Sequence, residues 1–117
     1  VGVLRNKHGL QMAIDEIRRM NNDIFPNLKP ASGTVFNTSL MDWLDLRNSL
    51  LCAEAICLAA SERRESRGAH QMEDIPFKSD NFTKNQIISM IDGKLVSRWQ
   101  DVQKLEFGLE KKRRTRV

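Results

Sequence analysis

The chain predicts a mainly α-helical fold, a helical bundle with a small C-terminal β-hairpin, and three observations carry that expectation. Two segments, about residues 6–21 and 37–65, repeat their apolar side chains in threes and fours. A third, about residues 85–102, holds two runs of β-formers around Asp92-Gly93, the strong two-residue hairpin signal.

In the first segment Leu10, Ala13, Ile14, Ile17 and Met20 share one helical face, while Asp15, Glu16, Arg18 and Arg19 take the wet side. The stretch Asn22 to Val35 contains Pro26, Pro30 and Gly33, so an extended connector is expected. Asn37, Thr38 and Ser39 then offer capping oxygens to a run without Gly or Pro to about Glu65, roughly 43 Å of helix. Trp43, Leu46, Leu50, Ala53, Cys57 and Ala60 form one apolar stripe of this helix. Leu40, Leu44, Leu51, Ala55 and Leu58 widen it beyond a two-stranded seam, and the small residues Ala53, Ala55, Ala59 and Ala60 permit close backbone approach. Gly68 is expected at the helix C′ position, with Arg63, Arg64 and Arg67 at the negative end of its dipole. A polar loop holding Met72, Asp74 and Pro76 leads to the hairpin strands, about Asn85 to Ile91 and Lys94 to Val102.

These elements divide the chain into a helical portion (1–80), a hairpin segment of the same domain (81–103) and a basic tail (104–117). At 117 residues there is room for one domain. The formal net charge of +4 belongs wholly to the tail: residues 1–103 carry 13 basic and 13 acidic side chains, and 104–117 carry six and two. The cluster Lys111-Lys112-Arg113-Arg114-Thr115-Arg116 has no interleaved aromatic and no recognition helix to accompany it, so nucleic acid is a disfavoured partner. The longest apolar run is broken by Glu54 and falls short of the ~20 residues of a membrane span, and no signal peptide is evident, which suggests a cytoplasmic location. Cys52 and Cys57, five residues apart on one helix, are too divergent to bridge and are expected to be buried thiols. Six scattered glycines assemble no phosphate cradle, and no metal-ligand spacing occurs. Trp43 and Trp99 are expected as core or interface anchors, and His8 as solvent-facing.

The densest chemistry lies in Arg63-Arg64-Glu65-Ser66-Arg67-Gly68-Ala69-His70. An acid/base pair of Glu65 and His70 lacks any partner with nucleophile or ligand spacing. Helix termination by Gly68 is the plainer reading, and it leaves Arg67 and His70 on an exit turn that can dock against an acidic or carbonyl-rich surface.

Several strings together resemble a known family. Val35-Phe36-Asn37-Thr38-Ser39-Leu40, Leu46-Arg47-Asn48-Ser49-Leu50-Leu51, Ala53-Glu54-Ala55 and Glu65-Ser66-Arg67-Gly68-Ala69-His70-Gln71, with Asp74 downstream, are similar to the C-terminal helical domain of succinate dehydrogenase and fumarate reductase flavoprotein subunits. L-aspartate oxidase shares a related version. Val1-Gly2-Val3-Leu4-Arg5 resembles the family's Gly-Ile-x-Arg segment, and Phe82-Thr83-Lys84 with Asp101-Val102 resembles its terminal strands. Lys84-Asn85-Gln86 stands where the family commonly has Lys-His-Thr, and the three subfamilies stay unseparated.

The resemblance implies a spectrin-repeat-like bundle lacking its first helix, which family members place before the Gly-x-x-Arg segment. It implies an FAD-dependent oxidoreductase acting on a dicarboxylate, with FAD and all catalytic residues upstream of this chain and no catalytic, cofactor or metal site within it. Glu65, Ser66, Arg67, Gly68 and His70 match the family signature and become the expected domain-docking residues. The implied partners are upstream flavin and capping domains and an iron–sulfur subunit, at the cytoplasmic face of a membrane. The uncovered stripe of the long helix also suggests a homodimer of the isolated chain.

Overall fold

The computed structural model describes residues 2–33 and 35–103. Helix α1 (Lys7–Arg19) begins where Asn6, in extended conformation, accepts a hydrogen bond from the Gly9 amide at 2.7 Å, satisfying one of the amides that a helix start leaves without an internal partner. Leu10, Ile14 and Ile17 are buried, and Ala13 and Met20 pack beside them, so the apolar face read from the sequence is the face that meets the core.

The chain does not become extended at Asn22 as expected. It widens into a π-helical turn (Met20–Ile24) and closes through a 3-10 turn (Phe25–Asn27). Pro26 lies at the start of that short turn, where its missing amide would have had no partner anyway.

Helix α2 (Thr38–Glu62) starts at Asn37, whose side-chain oxygen accepts from the Leu40 amide at 2.9 Å while its amide nitrogen donates to the Ala31 and Gly33 carbonyls, each at 2.8 Å. Leu50, Cys57 and Ala60 are its buried residues. They meet α1 in two clusters. One joins Ile14, Ile17, Leu50 and Cys57, and the other joins Leu10, Ala60 and Met72. Trp43 stacks on Phe25 at 4.7 Å between ring centroids, and its indole N–H donates to the Leu28 carbonyl at 3.1 Å. That contact anchors the connector to the long helix.

The second stripe of α2 is less covered: Leu40, Leu44 and Leu51 are exposed, as are Met41 and Ile56 beside them and Leu46 of the first stripe, while Ala55 and Leu58 are half-buried. Of the two cysteines, both expected to be buried, only Cys57 is; Cys52 is exposed. Five residues on a helix turn through about 140°, so both cannot face α1.

Two small sheets complete the fold. Strands β1 (Leu4–Arg5) and β2 (Gln71–Met72) pair in parallel, Leu4 with Gln71 and Arg5 with Met72. Strands β3 (Lys84–Ile91) and β4 (Lys94–Asp101) form the expected antiparallel hairpin, closing with Ile91 opposite Lys94. Asp92 and Gly93 have φ of 49° and 74°, the paired positive values of the type I′ turn that suits the twist of the strands. Gln86 on β3 donates to the Glu62 carboxylate at 3.1 Å, which ties the hairpin to the end of α2. Among the described residues no helix is long and apolar enough to cross a membrane. The basic cluster Lys111–Arg116 lies outside the described residues.

Candidate functional site: a charged turn behind the long helix

Helix α2 stops at Glu62, three residues short of the sequence expectation, and Gly68 is not its C′ residue. The chain leaves the helix at Arg63, whose extended backbone (ψ 96°) turns the following residues inward. What ends the helix is side-chain capture. The Arg63 guanidinium donates to the Phe82 and Lys84 carbonyls at 3.0 and 3.1 Å, donates to Glu65 at 2.7 Å, and lies 4.9 Å from the ring centre of Trp99. Trp99 in turn meets the edge of Phe82 at 5.2 Å. Arg63 therefore does not serve the helix dipole; it fastens the hairpin to the helical body.

Glu65 is the fully buried centre of this arrangement, with 0% of its surface exposed. One carboxylate oxygen accepts from Arg63 and from Arg67 Nε, at 2.7 and 2.8 Å, and the other accepts from the Ser79 amide at 3.0 Å. The Arg67 hydrogen bond, helped by those of Ser79 and Arg63 and opposed by burial, lowers the Glu65 pKa to about 2. Arg67 Nη2 donates to the Ser79 carbonyl and the Thr83 hydroxyl, both at 3.2 Å. A buried carboxylate is tolerable only when its charge and lone pairs are met in this way. No buried side-chain polar atom lacks a hydrogen-bond partner among the described residues.

Ser66 is buried as well. Its hydroxyl donates to the Ile75 carbonyl at 2.7 Å and accepts from the Met72 amide at 2.8 Å, bracing the loop that carries β2. Arg67 and His70 exchange both backbone hydrogen bonds across Gly68 and Ala69. Gly68 has φ 57°, and a positive φ at the first central position of a two-residue turn favours glycine. The glycine is thus required by a tight turn, not by a helix end.

His70 links three segments. Its Nε2 lies 3.0 Å from the Arg63 carbonyl and its Nδ1 lies 2.9 Å from Arg5 Nη1. A carbonyl only accepts and a guanidinium only donates, so the ring carries its proton on Nε2 and accepts at Nδ1. Arg5 belongs to β1, which pairs with β2 immediately after His70. Asn6 donates to Glu73 and the Lys7 amide donates to Asp74, each at 2.8 Å. These contacts fix the start of the chain to the turn across more than sixty residues of sequence, and no sequence signal announced the β1–β2 pairing.

All five expected docking residues thus fall in one cluster. Glu65 and Ser66 face inward, while Gly68 and Ala69 form the exposed tip, flanked by half-buried Arg67 and His70. Glu65 and His70 are not bonded to each other. Sequence reasoning missed Arg5, Arg63 as the hub, Ser79 and Thr83. Of these, only Arg63 lay within the string that drew attention. His8 is exposed, as expected.

A helix pair joined to a hairpin by an Arg–Glu–Arg staple around a buried carboxylate defines a small helical domain in which the polar groups of the turn are spent on its own architecture. A family profile described as "Fumarate reductase flavoprotein C-term" matches residues 1–115, and the chain belongs to that family. It is 36% identical over 113 residues to the 8-methylmenaquinol:fumarate reductase flavoprotein subunit of Wolinella succinogenes, covering 94% of this chain and 17% of the relative. It is 37% identical over 91 residues to the succinate dehydrogenase flavoprotein subunit of Rickettsia felis, covering 76% of this chain and 15% of the relative. Among solved structures, the FrdA chain of E. coli quinol fumarate reductase superposes with a TM-score of 0.80 at 31% identity, over 86% of this chain and 18% of that one. Sdh1 of Mycobacterium smegmatis gives a TM-score of 0.81 at 28% identity, over 88% and 18%. The chain therefore spans about a sixth of the length of the relatives it matches.

Neither start of the two long helices is open to a flavin pyrophosphate. Asn6 and the Asp74 carboxylate occupy the N-terminus of α1, and Asn37 occupies that of α2. An anion at either end would meet a cap already made, and at α1 a negative charge as well.

Proposed function

We propose that this chain is the C-terminal structural and docking domain of an FAD-dependent oxidoreductase of the succinate dehydrogenase and fumarate reductase type. The observation that carries the reading is the superposition of nearly the whole chain on less than a fifth of the FrdA chain. In the parent polypeptide FAD supplies reversible hydride exchange with succinate or fumarate, and the residues that hold the flavin and the substrate lie upstream of this chain.

The part assigned to this chain is mechanical. The Arg63–Glu65–Arg67 staple fixes the shape of the turn, so that Gly68, Ala69 and the half-buried edges of Arg67 and His70 present a rigid surface to the upstream flavin domain. The exposed stripe of Leu40, Leu44 and Leu51 suits burial by the rest of the parent or, in the isolated chain, by a second copy. An iron–sulfur subunit is the expected further partner, with the assembly at the cytoplasmic face of a membrane. The likeness to L-aspartate oxidase noted in the sequence is a secondary reading, since the relatives described above are fumarate reductase and succinate dehydrogenase subunits.

The test compares the 117-residue chain with the same chain carrying its upstream sequence. The longer polypeptide is expected to bind FAD and to reduce fumarate with a reduced viologen dye. The shorter one is expected to do neither. A flavin-loaded 117-residue preparation, or a longer polypeptide without flavin, overturns the proposal.

A further inference from the structure

A cavity lies away from the charged turn, between the hairpin tip and the side of the two helices. It has a volume of about 730 Å³ and is lined from three directions. Arg18 comes from α1, Arg47 from α2 and Lys94 from the first position of β4, just after the hairpin turn. Against these three cations stands one carboxylate, Glu54, and its contact with Arg18 is a loose 4.0 Å. Arg47 and Lys94 have no ion-pair partner within 4.0 Å among the described residues. Charges of one sign on a concave wall reinforce one another, because the low-dielectric floor focuses their field into the opening.

The backbone at this place is also unusual. The π-helical turn Met20–Ile24 supplies Asn21 and Asn22 to the wall, opposite Asn48 on α2. Such wide turns occur mostly as local departures within helices, and frequently at functional sites. Three primary amides beside three cations place many hydrogen-bond donors around one volume. The rest of the lining is apolar, with Phe25 and Leu51 on the helix side and Met90 and Leu95 on the hairpin side. Such a volume is within the range of small-molecule sites, and a mixed wall of this kind suits a carbon skeleton that carries separated charges.

We propose that this cavity binds a small organic anion bearing two or more carboxylate or phosphate groups, with Arg18, Arg47 and Lys94 as its charge partners and the asparagine amides as orienting donors. The inference is tested on this chain alone, and because the cavity shares Leu51 with the exposed stripe, it rests on that stretch of the stripe staying open. Carboxylate and phosphate share the chemistry that these donors recognise, and the experiment separates them.

Isothermal titration of the 117-residue chain with citrate and, separately, with pyrophosphate at about 0.1 M salt is expected to show saturable one-to-one binding of at least one of them. The probe that binds identifies the anion class. Arg47→Ala and Lys94→Ala are each expected to weaken binding about fivefold or more, while Glu54→Gln, which removes the only carboxylate, tightens it. Arg98→Ala, four positions along β4 from Lys94 and not among the residues that line the cavity, is the control and leaves affinity unchanged. Arg47, Lys94 and Arg98 are all exposed, and circular dichroism verifies that each variant keeps its helix content. The side-chain amide resonances of Asn21, Asn22 and Asn48 should shift on titration in the parent chain. Absence of saturable binding to both anions, equal weakening by Arg98→Ala and Arg47→Ala, or shifts that spare all three asparagines overturns the proposal.

Discussion

The two ends of helix α2 solve opposite problems. At its C-terminal end the buried and half-buried polar groups are met from within: Glu65 by Arg63, Arg67 and Ser79, and His70 by Arg5 and the Arg63 carbonyl. In its N-terminal half Leu40, Met41, Leu44 and Leu51 face solvent. A chain that buries a carboxylate while leaving leucines exposed has not arranged itself by hydrophobicity alone. The difference teaches where this molecule is finished and where it awaits a neighbour. Substitutions at the first end should change stability, and substitutions at the second should change association.

The largest expected effect is at Glu65. Glu65→Ala leaves two partly exposed guanidinium groups facing each other without the buried carboxylate between them, and removing the buried member of such a network costs on the order of 3 kcal/mol. For a domain of this size that should lower the melting temperature by well over 10 °C, read by circular dichroism. A variant that melts within a few degrees of the parent would mean that the staple is ornamental and that the contrast between the two ends fails.

The same carboxylate sets an acid limit. Its folded-state pKa lies below the ordinary value, at about 2, so its stabilising contribution is fully present above pH ~4.5 and fades as the pH falls toward 2. Unfolding curves at decreasing pH should therefore show the parent losing stability more steeply across that interval than Glu65→Gln, which has no carboxylate to protonate. Parallel curves would show that the hydrogen bonds from Arg67 and Ser79 do not hold the charge.

Gly68→Ala is expected to cost less, about 1–2 kcal/mol. No atom lies within 4 Å of a Cβ placed there, so the penalty is confined to the backbone at φ 57°. Gly68→Asn, which tolerates that conformation better, should recover part of the loss in the same melting experiment.

What the sequence disclosed follows the same division. Local chemistry was legible: Asn37 as a cap, the buried face of α1, and Asp92-Gly93 as a hairpin turn all rest on neighbours within a few residues. The end of α2 was not. Ser61 to Glu65 reads as continuing helix, and the helix ends because Arg63 is taken by Phe82, Lys84 and Trp99, partners 19 to 36 positions away. The parallel pairing of β1 with β2 was invisible for the same reason, two residues on each side being too short to leave a pattern. The string from Arg63 to His70 stands out by its residue types alone, while the use its side chains find in the fold depends on those distant partners.

The smallest expected effect on stability is at the exposed stripe, and it tests the contrast from its other side. Leu44→Lys and Leu51→Lys replace side chains 36% and 45% exposed, so each gives up part of its packing and is expected to cost about 1 kcal/mol. Association should respond in the opposite sense. If the stripe is the self-contact of the isolated chain, sedimentation should show the parent shifting toward dimer with concentration and the double variant remaining monomeric. If it is reserved for the upstream part of the parent, the 117-residue chain should be monomeric in both forms, and the lysines should weaken assembly only when that part is present. A double variant that unfolds would instead place these leucines in the core, and the distinction between the finished and the waiting end of α2 would have to be abandoned.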